Sequence, residues 1–235
     1  MKTYSAFPTI VFDLDGTLAD TAPDIVSTLN VILKSMGHPP LPYHEAINLV
    51  GSGARALLTE GLKAAQVETD AQQLEKLYLQ FLTYYEAHIA DETNLYPGAM
   101  SALEHLRNIG FPLAICTNKI ERHAKLLLEK LGIADFFGAI CGRDSFPYFK
   151  PDSRHLAMTI EQCGGDINHA IMVGDSITDI NTAKNANLPV IAVSFGYSDT
   201  PVHQLNPDQV IEHYDNLFAA VEIILSKSRR RLTKS

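Results

Sequence analysis

The chain is poor in the features that would assign it to several large protein classes. Its 235 residues include only three cysteines, Cys116, Cys141 and Cys163. They are scattered, odd in number and without metal-ligand spacing, which argues against a disulfide framework and for reduced thiols in a cytoplasmic protein. No run approaches the ~18 apolar residues of a membrane span, so no membrane partner is expected. Only Met1-Lys2-Thr3-Tyr4-Ser5 and a few more residues precede the first expected strand, so no secretory signal is expected there. Positive charge is also scarce: 19 Lys and Arg against 27 Asp and Glu leave a formal charge of −8, which disfavours a nucleic-acid partner. The basic run Arg229-Arg230-Arg231 with Lys234 is expected to be a solvated tail, anionic-surface binding being the alternative. There is no internal repeat and no low-complexity segment.

What is present is apolar patterning on a scale that supports a large core, with 46% hydrophobic residues. Short apolar strands are expected at about 8–13, 112–117, 138–142, 169–174, 189–194 and 209–211. Helical patterns fall between them at 98–109, 122–131, 152–163, 177–186 and 216–225. This alternation predicts an α/β fold with a doubly wound parallel sheet, helices covering both faces. Ligands of such sheets bind at the carboxyl ends of the strands. Residues 18–94 lack a convincing strand and show helical spacing at 23–36, 43–50, 54–65 and 71–89, broken by Gly37-His38-Pro39-Pro40 and Gly51-Ser52-Gly53. The expected organisation is an α/β core of residues 1–17 and 95–235, interrupted by an all-helical inserted domain at 18–94.

Chemistry concentrates where the expected strands end. Asp13 and Asp15 flank Leu14 before Gly16, a spacing that points both carboxylates to one side in extended backbone. Such a pair is tolerable beside a divalent cation or if one member holds a proton, and both arrangements suit phosphoryl chemistry. The plainer alternative is an acidic turn capping a helix, with Asp20 or Thr21 as N-cap ahead of Pro23. The strand 112–116 runs into Thr117-Asn118, a hydroxyl and an amide able to donate to phosphate oxygens. Lys150-Pro151 supplies a cation where a helix is expected to start. The strand 170–173 ends in Gly174-Asp175-Ser176, with Asp179 four residues beyond Asp175. Cys116 adjoins Thr117 but lies in an apolar strand and is expected in the core.

In order and spacing, Asp13-Leu14-Asp15-Gly16-Thr17-Leu18-Ala19-Asp20-Thr21, Thr117-Asn118, Lys150-Pro151 and Gly174-Asp175-Ser176-Ile177-Thr178-Asp179 resemble the four motifs of the haloacid dehalogenase superfamily of phosphatases. The likeness spans nearly the whole chain. It implies a Rossmann-like core with a helical cap, and Asp13 as the nucleophile that forms an aspartyl-phosphate. Asp15 would be the general acid and base. Magnesium would be held by Asp13, the Asp15 backbone carbonyl and Asp175, while Thr117 and Lys150 would stabilise the phosphoryl oxygens. Asn118, Ser176 and Asp179 either bond to the site or cap helices. A bound metal and Lys150 would govern the local field, whatever the net charge of the surface.

The cap would read the leaving group of a small phosphorylated metabolite. Gly51 and Gly53 either form a loop that reaches the site or end one helix and start another. Arg55 either pairs with a substrate carboxylate or is solvated. Within the superfamily, Gly142-Arg143-Asp144-Ser145-Phe146-Pro147 and the late Gly196-Tyr197 most resemble the branch that hydrolyses 2-phosphoglycolate, although Phe195-Gly196-Tyr197-Ser198 and Ala186-Asn187-Leu188 depart from its commoner endings. Another small phosphate ester or pyrophosphate is the alternative substrate, and a silent binding or regulatory module the alternative class. A dehalogenase would not need Asp15, and a phosphonate hydrolase would need a cap lysine, for which Lys34 and Lys63 have no other support. A monomer or homodimer is expected.

Overall fold

A computed structural model describes residues 7–51 and 53–232, the side chains of 228–232 excepted. Ser52 and the basic run at 229–231 with Lys234 therefore lie outside what is described of side chains. The central sheet has six parallel strands in the order β5-β4-β1-β6-β7-β8. These are β1 (Thr9–Phe12), β4 (Leu113–Cys116), β5 (Ala139–Cys141), β6 (Ala170–Gly174), β7 (Val190–Val193) and β8 (Gln209–Ile211). A two-stranded antiparallel pair, β2 (Ala19–Asp20) with β3 (Asn94–Leu95), stands apart from it. The chain builds outward from β1 to β4 and β5, then crosses back to β6 on the other side of β1. That reversal puts the end of β1 at the topological switch point, where doubly wound sheets bind ligands.

Side chains alternate between the faces of each strand, as the period of two requires. Ile10, Phe12, Leu113, Ile115, Ile171, Val173, Ile191 and Val193 enter one core. Val11, Ala114, Cys116, Met172, Val190 and Ala192 enter the other, against Leu156 and Ile160 of α7 (Ser153–Gln162) and Ile180 and Ala183 of α8 (Ile177–Asn185). Burying a side chain such as Phe12 contributes about 1.5–3 kcal/mol. The first core is covered by α5 (Ala99–Ile109), α6 (Glu121–Lys130) and α9 (Leu217–Leu232).

Between β2 and β3 the described chain is helical throughout. It comprises α1 (Ala22–Ser35), the single turn α2 (Tyr43–Ala46) continuing as a 3₁₀ turn over Ile47–Leu49, α3 (Ala54–Ala64) and α4 (Ala71–Ala87). Leu29, Leu33, Leu58, Leu62 and Phe81 make this cap part of the same apolar cluster as Ile10 and Phe12. Asp24, buried in the first turn of α1, accepts from the Glu92 and Thr93 amides at 3.0 and 2.9 Å and from Thr93 Oγ1 at 2.7 Å, clasping the two cap connections together.

Three local expectations are corrected. Thr21 is the N-cap of α1, yet its hydroxyl makes no capping bond and is buried without a partner among the described residues. The helix after Lys150-Pro151 starts at Ser153, because the Asp152 carboxylate caps it by accepting from the Arg154 amide at 2.9 Å. The segment 43–50 is a helical turn followed by a 3₁₀ turn and not one continuous helix. Among the described residues no helix is long and apolar enough to cross a membrane.

Candidate active site

Asp13 follows β1, Thr117 follows β4 and Asp175 follows β6, so parallel pairing of β4-β1-β6 brings three distant stretches to one sheet edge. Lys150 Nζ lies 2.9 Å from Asp13 Oδ1 and donates to Asp179 Oδ1 at 2.6 Å. The Lys150–Asp13 contact lacks hydrogen-bond alignment, and Asp13 Oδ1 has no hydrogen-bond partner among the described residues. Burial opposes the Lys150 ammonium, but Asp13 and Asp179 outweigh it and raise its pKa.

Asp179 is fully committed. Its Oδ2 accepts from the Ser176 amide at 3.1 Å and from Ser176 Oγ at 2.6 Å, while its Oδ1 faces Lys150. Ser176 and Asp179 thus cap α8, and Asp179 also fixes the lysine. Asp175 is held by Thr17 Oγ1 at 2.9 Å and by the Tyr197 amide at 2.8 Å. Gly16 makes room for it: with φ at +76°, a Cβ there would lie 2.5 Å from Asp175 Oδ2.

One carboxylate oxygen from each of Asp13, Asp175 and Asp179 lies within 4.8 Å of the other two. Burial and the neighbouring carboxylates push Asp13 up to about 6, against the pull of Lys150. Burial, Asp179 and Asp13 push Asp175 up to about 8, against its hydrogen bonds from Tyr197 and Thr17. The Lys150 ammonium pairs with Asp13 and Asp179, and no cation pairs with Asp175 among the described residues. This oxygen-only, negatively charged set fits a hard divalent cation. Asp13 and Asp175 are the better ligands, because both oxygens of Asp179 are already used.

Asp15 turns its side chain away from this cluster. Its Oδ1 accepts from Lys119 Nζ at 2.8 Å, and Lys119 is buried with its ammonium 4.6 Å from the Tyr85 ring centre. Thr117 is buried and its hydroxyl accepts from the Lys119 amide at 3.2 Å. Asn118 donates to the Lys150 carbonyl at 3.2 Å, leaving its own Oδ1 buried without a partner among the described residues.

A model of the haloacid dehalogenase-like hydrolase family matches residues 10–193. The chain belongs to that family. It is 45% identical to a phosphoglycolate phosphatase of Agrobacterium fabrum over 94% of this chain and 95% of the relative. A phosphoglycolate phosphatase of Caulobacter vibrioides is also 45% identical, over 88% of this chain and 87% of the relative. The crystal structure of a predicted phosphoglycolate phosphatase from Haemophilus somnus superposes with a TM-score of 0.85 at 29% identity, covering 92% of this chain and 98% of that one. The chain is a phosphoric monoester hydrolase with the core-and-cap fold of the family.

Above the carboxylates lies a cavity of about 460 Å³ between core and cap. Asp13, Asp15, Thr117 and Asn118 line it from the core, with Gly51, Gly53 and Arg55 on the cap side. Gly53 faces the Asn118 carbonyl, so the glycine loop does come down to the core. Arg55 lines the cavity, but its guanidinium is paired with Glu75 at 2.7 Å and stacked 4.0 Å from the Tyr78 ring centre. In the sequence Thr17 and Tyr197 stand in the motif stretches 13–21 and 195–198 without an assigned role, and Lys119 stands in none of them. Lys119 directly follows Thr117-Asn118, the one signal that pointed to it; Thr17 and Tyr197 reach Asp175 only through the fold.

Proposed function

We propose that the chain is a magnesium-dependent phosphomonoesterase that hydrolyses 2-phosphoglycolate to glycolate and phosphate through an aspartyl-phosphate on Asp13. One observation carries this reading: Asp13, Lys150 and Asp175 meet at the switch point, under a cavity on whose wall Asp15 is held separately by Lys119. The phosphoglycolate assignment draws further support from the relatives. We take residues 18–94 as the cap, hinged where β2 and β3 pair.

The Asp13 carboxylate attacks phosphorus and the bond to the ester oxygen breaks. Asp15 donates a proton to the departing alkoxide. In the second step Asp15 takes a proton from water, whose oxygen attacks phosphorus, releasing phosphate and restoring the Asp13 carboxylate. Lys119 occupies one oxygen of Asp15 and leaves the other for these transfers. Thr117 and Lys150 donate to the phosphoryl oxygens. Asp13, the Asp15 carbonyl and Asp175 would hold the magnesium ion, which when bound offsets negative charge on the transferring group.

Phosphate release from a panel of esters by the purified protein with magnesium tests this. The highest kcat/KM is expected for 2-phosphoglycolate. Preference for pyrophosphate or an ester without a carboxylate would overturn the substrate, and no turnover of any ester would overturn the reaction.

A further inference from the structure

The cavity holds few charged groups, and nearly all have partners. Lys119 is spent on Asp15 and Arg55 on Glu75. His123 is pushed down to about 4 by burial and by Lys119, so it lines the wall as a neutral ring. Arg143 differs: no carboxylate pairs with it among the described residues, and its guanidinium lies half-buried, 3.7 Å from the Phe149 ring centre.

The loop that carries Arg143 is unusually fixed. The Arg143 amide donates to the Lys119 carbonyl at 2.9 Å, and the Gly142 amide to Ser145 Oγ at 2.8 Å. The Glu121 amide donates to Asp144 Oδ1 at 2.7 Å, and Ser145 Oγ donates to the Glu121 carboxylate. A Cβ on Gly142 would lie 2.2 Å from the Glu121 nitrogen, so the loops after β4 and β5 touch at a point only glycine allows. Arg143 also reaches the cap: Nη1 is 3.7 Å from where a Cβ on Gly53 would sit. The guanidinium therefore spans core and glycine loop, and its residue is bonded through the backbone to Lys119, whose ammonium holds Asp15. In the proposed reaction the leaving oxygen must lie beside Asp15, so the rest of the leaving group faces Lys119 and Arg143.

We infer that Arg143 is the specificity-determining residue, binding a carboxylate on the leaving group through the two-pronged geometry that guanidinium offers. This selects phosphate esters of hydroxy acids and deepens the proposed function, on which it rests. Arg55, tied to Glu75, is not that residue.

Kinetic and binding arms test it together. Arg143→Ala is expected to lower kcat/KM for 2-phosphoglycolate roughly 10- to 100-fold more than kcat/KM for p-nitrophenyl phosphate, the range for losing a hydrogen-bonded charge pair. Arg143→Lys should recover only part of the loss, and Arg55→Ala should alter the ratio of the two substrates less than about threefold. In the binding arm, 2-phosphoglycolate is titrated into Asp13→Asn protein, with and without Arg143→Ala, and the affinity should fall by a similar factor. Equal losses on both substrates with unchanged affinity in the titration, or a ratio moved by Arg55→Ala and not by Arg143→Ala, would overturn the assignment. Because the titration needs no turnover, a protein inactive on every ester refutes the reaction and still decides the role of Arg143.

Discussion

The floor and the walls of the cavity are built on opposite electrostatic plans. At the floor, Asp13 lines the cavity and Asp175, Asp179 and Lys150 lie buried beside it, with neighbouring charge shifting the protonation of Asp13, Asp175 and Lys150. On the walls, Tyr78, Phe81, Leu82, Leu57 and Tyr85 supply apolar surface, and among the described residues charges come as separate neutralised pairs with Arg143 as the exception. A floor of that kind fixes one reaction irrespective of the leaving group, whereas a wall with one open cation discriminates between leaving groups. Damage to the floor should therefore affect all substrates alike, and damage to the wall should not.

The largest expected effect is at the floor. Asp13→Asn removes the nucleophile and should cost at least ~4 kcal/mol of barrier, about a thousandfold, with every ester. Chelation with EDTA should likewise silence all substrates, and magnesium should restore them. Activity that survives either treatment with one ester but not another would erase the distinction between floor and wall.

Asp15 stands at the border and sharpens it. Asp15→Asn should slow the alkyl ester, which needs a proton on its leaving oxygen, about ten- to a hundredfold more than an activated aryl ester. The backbone carbonyl remains, so magnesium affinity should change little. Equal slowing would move Asp15 into the floor.

A further expectation concerns stability beneath the floor. His155 is fully buried on α7, its Nε2 3.1 Å from the Gly142 carbonyl and its Nδ1 3.6 Å from Cys116 Sγ. Burial and Lys150 push it down to about 4, and burial raises the Cys116 thiol to about 12, so a neutral thiol donates to a neutral ring. The unfolded chain then binds the extra proton first. Stability from this group is present above pH 6.5 and is lost as pH falls towards 4, by on the order of 3 kcal/mol at most. Over pH 7 to 5 the raised carboxyls of Asp13 and Asp175 act in the opposite sense and the lowered His123 in the same sense, so the contribution is read as a difference: in urea melts the wild type should lose stability relative to His155→Gln between pH 7 and pH 5. A slope unchanged by the substitution would assign it to other groups.

The smallest effect should come from the hinge. The Tyr197 hydroxyl donates to Asp20 at 2.6 Å and accepts from the Ala22 amide at 2.9 Å. Tyr197→Phe should cost roughly 1–2 kcal/mol in a denaturant melt, while Asp175 keeps its bond from the Tyr197 backbone. A drop in activity that exceeds the stability loss would show that this hinge contact also serves the floor.

The same division governed what the sequence revealed. Strands β1, β4, β6 and β7 were legible because fully buried parallel strands read as short apolar runs, and Asp13, Asp15, Thr117 and Asp175 because each follows such a run. The strands β2 and β3 were not, since two residues show no periodicity. Helix α9 extends to Leu232 through a basic stretch whose lack of apolar spacing suggested an earlier end. Lys119 and Arg143 are single cations in loops, where only tertiary contacts distinguish a fixed charge from a solvated one.

The covalent step is the claim on which the rest depends, and trapping it is the most direct test. Protein mixed with 2-phosphoglycolate and magnesium, acid-quenched within the first turnover and digested, should yield the peptide containing Asp13 with the mass of one added phosphoryl group. Asp13→Asn protein should yield none. A full burst of glycolate with no phosphorylated peptide, or an adduct that persists in Asp13→Asn, would contradict the account.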